Sequence, residues 1–278
     1  RLGTGIMQIS ARAPSMTAMT ALSLNEMSGG RFMLGLGVSG PQVVEGLHGV
    51  AYQAPLTRLR ETVEILRMAF RGEKIAFKGQ YHELPRPGGE GKAIRLNHPP
   101  ADIPIFLATL APKSLEFTGE AADGWLGTSF SPDHPDAHLA YIRKGLEAAG
   151  RSMDDLELHA ACQVVVGEDV EGIIDARRAS VAFQMGAMGS AQTNFYNDAF
   201  KRAGFTDDAL AIQRLWIEGR RDEAAQRVPD AMVTQFGAFG TPEMVKERFL
   251  TYKACGINSL SLRIVSDEGQ EQRISQLE

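Results

Sequence analysis

The residues whose types and spacing most directly suggest chemistry are Gly35-Leu36-Gly37-Val38-Ser39-Gly40, which match G-x-G-x-x-G and follow the strand-like run Arg31-Phe32-Met33-Leu34. In a dinucleotide-binding unit such glycines allow a tight turn and a close approach of backbone to pyrophosphate. A helix must then start at once, so that its N-terminus faces the phosphates. Here Pro41 follows, and Gly46 and Gly49 interrupt what comes next. No second strand ending in an acidic residue arrives at the required distance, because Glu61 and Glu64 fall inside a helical pattern. The letters match and the context does not. A strand that ends in glycine and opens into a long polar loop fits a (β/α) barrel, in which the C-terminal strand ends carry the chemistry.

Other segments offer chemistry of their own. Ser39, Gly40 and Gln42 could give side-chain or amide hydrogen bonds to the polar edge of a ring, while Glu45 and His48 lie further along the loop, within reach of a substrate or simply in solvent. Thr109-Leu110-Ala111-Pro112-Lys113-Ser114 links a buried strand to a helix, with Pro112 suited to the first helical position. The free amides and positive dipole end of such a helix attract phosphate; Leu110, Ala111 and Lys113 are the candidates, and Thr128 and Ser129 end the next strand as second donors. Thr241, Pro242 and Glu243 also open a helix, but Glu243 would repel an anion, so capping is the better reading there. Tyr196 and Asn197 are the polar residues to test in a possible lid, against the alternative of an aromatic packed between helices. Arg12 is a well-placed cation or a surface ion-pair member. The six histidines form no recognised ligand spacing, and no metal is expected.

The elements that must position these residues alternate strand and helix almost throughout. Strands are expected over 2–9, 32–38, 103–108, 123–129, 157–166 and 259–264. Helices are expected over 15–27, 56–70, 112–121, 138–149, 170–185 and 241–254, with a helical tail. A β-hairpin is inserted at about 74–92, and an interrupted, polar helical block at about 190–236. Such alternation implies an α/β fold with a parallel sheet and helices outside it. Eight units close a barrel. Six are counted here, in a chain beginning at Arg1, so two N-terminal units are expected to be absent from a single barrel domain spanning 1–278.

With 278 residues, 44% hydrophobic and 23% charged, the chain can bury a large core and has an ordinary globular composition. A net charge of -5 without a basic stripe argues against nucleic acid and membrane surfaces. No apolar stretch is long enough to span a bilayer and no signal peptide is seen. Cys162 and Cys255 make no disulfide framework and read as buried thiols in a reducing, cytoplasmic setting.

The segments 1–40 (RLGTGIMQISARAPSMTAMTALSLNEMSGGRFMLGLGVSG), ATLAPKSLEFTGEAADGW, FGTPEMVKERF and GINSLSL together resemble the luciferase-like monooxygenase superfamily, specifically its coenzyme F420-dependent oxidoreductases. VSGPQVVEGLHGV is similar to a mycobacterial-type subfamily of that branch. The resemblance covers essentially the whole chain and implies a TIM (β/α)8 barrel whose third strand is the first seen here. It implies a non-proline cis peptide at Gly5–Ile6 backing the deazaflavin ring, with Gly5, Ile6 and Met7 against the ring. It also implies amides of the Leu110–Lys113 segment on the cofactor phosphate, where Ala111 replaces a glycine frequent in relatives. The implied activity is hydride transfer between F420 and a small organic substrate, by a homodimer. The catalytic acid or base is expected in the part absent here, leaving Glu45, His48 and Tyr196 as weak candidates. Two alternatives stay open: an FMN-dependent monooxygenase served by a flavin reductase, and a non-catalytic cofactor-binding homologue.

Overall fold

The computed structural model describes residues 1–190 and 192–264, which divide into two compact units. The first unit is Arg1–Thr109 with Glu120–Leu126; the second is Leu110–Gly119 with the chain from Gly127 onward.

In the first unit, β1 (Leu2–Gly3) and β2 (Met7–Gln8) precede α1 (Pro14–Met27) and β3 (Phe32–Gly37). Both short strands run parallel to β3, with Leu2 opposite Phe32 and Met7 opposite Leu36. The strand expected over 2–9 is thus two pieces, separated by a cis Gly5–Ile6 peptide. Helix α1 stops where Gly29 and Gly30 turn left-handed, at φ 65° and 78°. Arg31 Nε donates to the Ser28 carbonyl at 2.8 Å, closing the helix end as its sequence suggests. The loop that the sequence predicts after β3 contains a one-turn helix, α2 (Pro41–Val44). Pro41 opens it from the first position, where its missing N–H costs nothing.

Helix α3 (Pro55–Phe70) follows, then the hairpin β4 (Phe77–Lys78) and β5 (Glu83–Leu84), paired antiparallel. Strand β6 (Ile105–Ala108) lies parallel to β3, and β7 (Gly124–Gly127) pairs with β6 through Gly124 and Trp125. Between them runs α4 (Pro112–Ala121), with the bounds its sequence predicts.

The hairpin turn is held by one carboxylate. Glu61, only 6% exposed, accepts the backbone N–H of Gln80, Tyr81 and His82, and His82 Nδ1 donates to it at 2.8 Å. Burial works to raise the Glu61 pKa. The His82 bond and the three amides together outweigh it and hold the carboxyl below its usual range.

In the second unit α5 (Asp136–Ala148) precedes β8 (Glu157–Val166) and α6 (Val170–Gly186). The helical block resolves into α7 (Phe195–Arg202), α8 (Thr206–Ile217), α9 (Arg221–Gln226) and α10 (Asp230–Thr234). Strand β9 (Ala238–Gly240), α11 (Pro242–Ala254) and β10 (Ser259–Ile264) complete it. Strand β8 is flanked by β10, in register from Ser259–His159 to Ile264–Val164, and by β9 through Val164–Val166. Strand β9 is not predicted from the sequence, since three residues carry no measurable period. The block has its own core of Met185, Phe200, Ala209, Ile212, Val228 and Met232. The helical tail expected after Ile264 lies outside the described residues. Of the two thiols read as buried, Cys162 is buried and Cys255 half-buried, and neither is paired. Among the described residues no helix is long and apolar enough to cross a membrane.

Glu61→Gln is expected to lower stability by about 1–3 kcal/mol at neutral pH, because a charged acceptor of several hydrogen bonds is lost. A carboxyl whose folded pKa is depressed stabilises above its unfolded pKa and loses that contribution as the pH falls through the folded value. Urea unfolding should therefore show the gap between wild type and variant closing as the pH falls below the usual carboxylate range; a gap constant with pH would contradict the assignment.

Candidate functional site

Gly35 and Gly37 are both fully enclosed in β3, and each marks a place where another segment takes the room of a side chain. A Cβ on Gly35 would stand 1.9 Å from the Thr4 carbonyl oxygen. Thr4 Oγ1 accepts the Gly35 N–H at 3.0 Å and donates to the Gly35 carbonyl at 2.9 Å, so this side chain takes the place of a strand neighbour. A Cβ on Gly37 would stand 2.3 Å from Ile6 Cδ1, so Ile6 lies directly over that glycine. The third glycine of the pattern does something else: Gly40 is the N-cap of α2.

This packing brings together the first-unit residues singled out in the sequence. Gly5, Ile6 and Met7 run beside the end of β3, and the Ile9 N–H donates to the Gly37 carbonyl at 3.1 Å. Ser39, with φ 60°, and Gly40 continue from the same strand end, and Gln42 is exposed on α2. His48 Nε2 sits 2.5 Å from Gln8 Oε1. An amide oxygen only accepts, so this ring nitrogen carries the proton and Nδ1 is left for other partners. Gln8 is a further candidate that the sequence does not single out; its place one step past Met7 is the only signal it carries. Glu45 instead accepts the Tyr52 N–H at 3.0 Å and braces the loop. Arg12 is exposed. A cleft under this loop, lined by Ile9, Val38 and Tyr52, holds about 40 Å³, too little for an organic ligand.

In the second unit Pro112 opens α4, and the Ser114 and Leu115 amides already close on the Ala111 carbonyl. Arg202 fixes this segment by donating to the Leu110 carbonyl at 2.7 Å and, through Nε, to the Ala137 carbonyl at 3.0 Å. Lys113 is 74% exposed and pairs with Glu116 at 2.9 Å, which Lys144 also binds. Thr128, Ser129 and Tyr196 are brought together elsewhere, in the lining of a cavity of about 390 Å³, within the usual range for small-molecule sites. Tyr196 is half-buried there, and burial raises its pKa. Asn197 is fully buried and donates to the Met185 and Ala209 carbonyls, so it ties α7 to α6 and α8.

His134 and His138 of this unit make packing contacts. His134 contacts Gln235 Oε1 at 3.1 Å. His138 packs edge-on against Phe130, and burial, reinforced by the Arg202 charge, pushes its pKa down to about 3. Neither caps α5, whose N-cap is Pro135. Among the described residues no three metal-ligating side chains gather. Burial pushes the Cys162 thiol up to about 11, leaving it unreactive.

Parallel strands followed by helices, with polar candidates at the strand ends, define an α/β protein of the barrel class. The chain belongs to the luciferase-like monooxygenase family, whose model matches residues 1–259. It is 38% identical over 277 residues to a Mycobacterium tuberculosis protein named "Putative coenzyme F420-dependent oxidoreductase Rv3520c", covering 96% of this chain and 80% of that one. It is 29% identical to the 5,10-methylenetetrahydromethanopterin reductase of Archaeoglobus fulgidus, covering 94% and 75%. Among solved structures, the coenzyme F420 dependent tetrahydromethanopterin reductase of Methanopyrus kandleri superposes with a TM-score of 0.78 at 23% identity, covering 100% of this chain and 81% of that one. That likeness shows the luciferase-like (β/α) barrel fold.

Gly35→Ala sets a side chain against backbone and should cost about 3 kcal/mol, whereas Gly37→Ala need only displace the end of Ile6 and should cost about 1 kcal/mol. Thermal melts of the two variants check the ranking. Equal losses would mean that Gly35 is not the tighter approach.

Proposed function

We propose that this protein is an oxidoreductase that uses coenzyme F420 to transfer a hydride to or from a small organic substrate. The observation that carries the reading is the shelf at the end of β3. There Gly37 admits Ile6, Ile6 and Met7 stay part-exposed, and Gln8, Ser39 and Gly40 supply polar atoms alongside. A planar heteroaromatic ring with one polar edge fits such a surface. The F420 dependence named for several relatives supports the same choice.

In the first unit, ring contact is assigned to Gly5, Ile6, Met7, Ser39, Gly40 and Gln42. In the second, phosphate contact is assigned to the first turn of α4, through Leu110 and Ala111 with Lys113 as an adjoining charge, and to Thr128 and Ser129. When bound, the deazaflavin supplies the hydride chemistry, and the protein positions the substrate and excludes water. His48, oriented by Gln8, is the first-unit candidate to hold a proton, at Nδ1. Tyr196 is the second-unit candidate.

Titration of the protein with F420 and with FMN, followed by fluorescence quenching, tests the reading. F420 is expected to bind the more tightly. Tight FMN binding with oxygen consumption would instead make the protein a monooxygenase. Lys113→Glu, which sets a negative charge at a helix N-terminus, should weaken F420 binding roughly threefold to tenfold. Unchanged affinity would remove the phosphate assignment.

A further inference from the structure

The cavity of the second unit contains a cation that the fold does not use. Two other arginines of this unit form ion pairs: Arg178, one residue on, binds Asp175, Asp230 and the Val228 carbonyl, and Arg248 binds Asp133. Arg177 is different. It is half-buried on α6, its Nε is buried without a hydrogen-bond partner, and it forms no ion pair among the described residues. Such a group is normally satisfied by protein, ordered water or a bound molecule. Helical spacing places Arg177, Val181 and Gln184 on one face, all lining the cavity.

The opposing strands add a second cation. Arg263 of β10 is the register partner of Gln163 of β8, and both line the cavity. Gln163 and Gln184 add amide groups. Among the described residues no acidic side chain lines the cavity, so the polar part they form is electropositive and rich in donors. Its remaining wall is apolar, and Phe183 and Met188 stay exposed, 47% and 39%, while lining it.

We propose that this cavity recognises an organic anion with an apolar body, a carboxylate on an aryl or alkyl group, as the substrate class of the enzyme, with Arg177 as the residue that reads the carboxylate. The guanidinium offers paired donors to two carboxylate oxygens, and the apolar wall covers the rest of the molecule. The inference rests on the reading of the protein as an oxidoreductase and adds what its substrate carries.

The test uses the full chain and calorimetric titration with 4-phenylbutyrate and its neutral amide, alongside F420. The carboxylate is expected to bind at least tenfold more tightly than the amide. Arg177→Gln should weaken carboxylate binding tenfold to a hundredfold without changing amide binding, Arg177→Lys should restore part of the loss, and Arg263→Gln should weaken it less. F420 affinity of Arg177→Gln should stay within twofold of wild type. Equal binding of acid and amide, or binding of neither, would overturn the proposal. So would a loss of F420 affinity in Arg177→Gln matching the loss of carboxylate affinity, because the anion would then be the cofactor's own. Carboxylate binding that depends on Arg177 in a protein that takes up no F420 would support the site while refuting the F420 reading.

Discussion

Two positions on one strand where no side chain can stand, Gly35 and Gly37, govern the organisation of the first unit. The Thr4 carbonyl fills the space beside Gly35 and the Ile6 side chain fills the space beside Gly37. Because that room exists, the segment from Leu2 to Ile9 can lie against β3 while Thr4 substitutes its hydroxyl for a ladder partner. Met7 and Gln8 are then presented at the strand end, and His48 comes within hydrogen-bond reach of Gln8. A glycine pattern that reads as a phosphate cradle is a packing device, and the helix it precedes is a single turn.

The second unit separates scaffold from function in another way. Its buried polar side chains mostly hold elements together: Asn194 caps α7 and reaches the Gln184 and Met185 carbonyls, Asn197 bridges three helices, and Arg202 pins the start of α4. Backbone carbonyls left over where helices meet account for these contacts. The cavity residues Arg177, Gln163, Ser129 and Tyr196 face open space instead. The neighbours Arg177 and Arg178 show the contrast within one helical turn, the second tied to two carboxylates and the first, among the described residues, to none.

Long periodic segments were legible in the sequence. Strand β8, helix α4 and strand β10 have the bounds that their patterns predict, because a regular apolar periodicity bounded by breakers leaves little choice of element. Short pieces were not legible. The split of β1 from β2 depends on Gly35, distant in sequence, and β9 is set by its pairing with β8 and by tertiary packing. The cis Gly5–Ile6 peptide followed from resemblance and not from the residues themselves. Arg177 carried no signal, since a charged residue on a helix after a strand is ordinary, and only the cavity beside it makes it stand out. Lys113 illustrates the converse. It is conspicuous in sequence, yet its ammonium pairs with Glu116 at the surface.

The central claim is that the glycines of β3 build a deazaflavin shelf and not a dinucleotide cradle. Equilibrium titration of the wild type and Gly37→Ala with F420 and with NAD tests it most directly. The account predicts that the wild type takes F420 and not NAD, and that Gly37→Ala, by displacing Ile6, weakens F420 binding at least tenfold. Selective binding of NAD, or F420 affinity unchanged by the added methyl group, would contradict it.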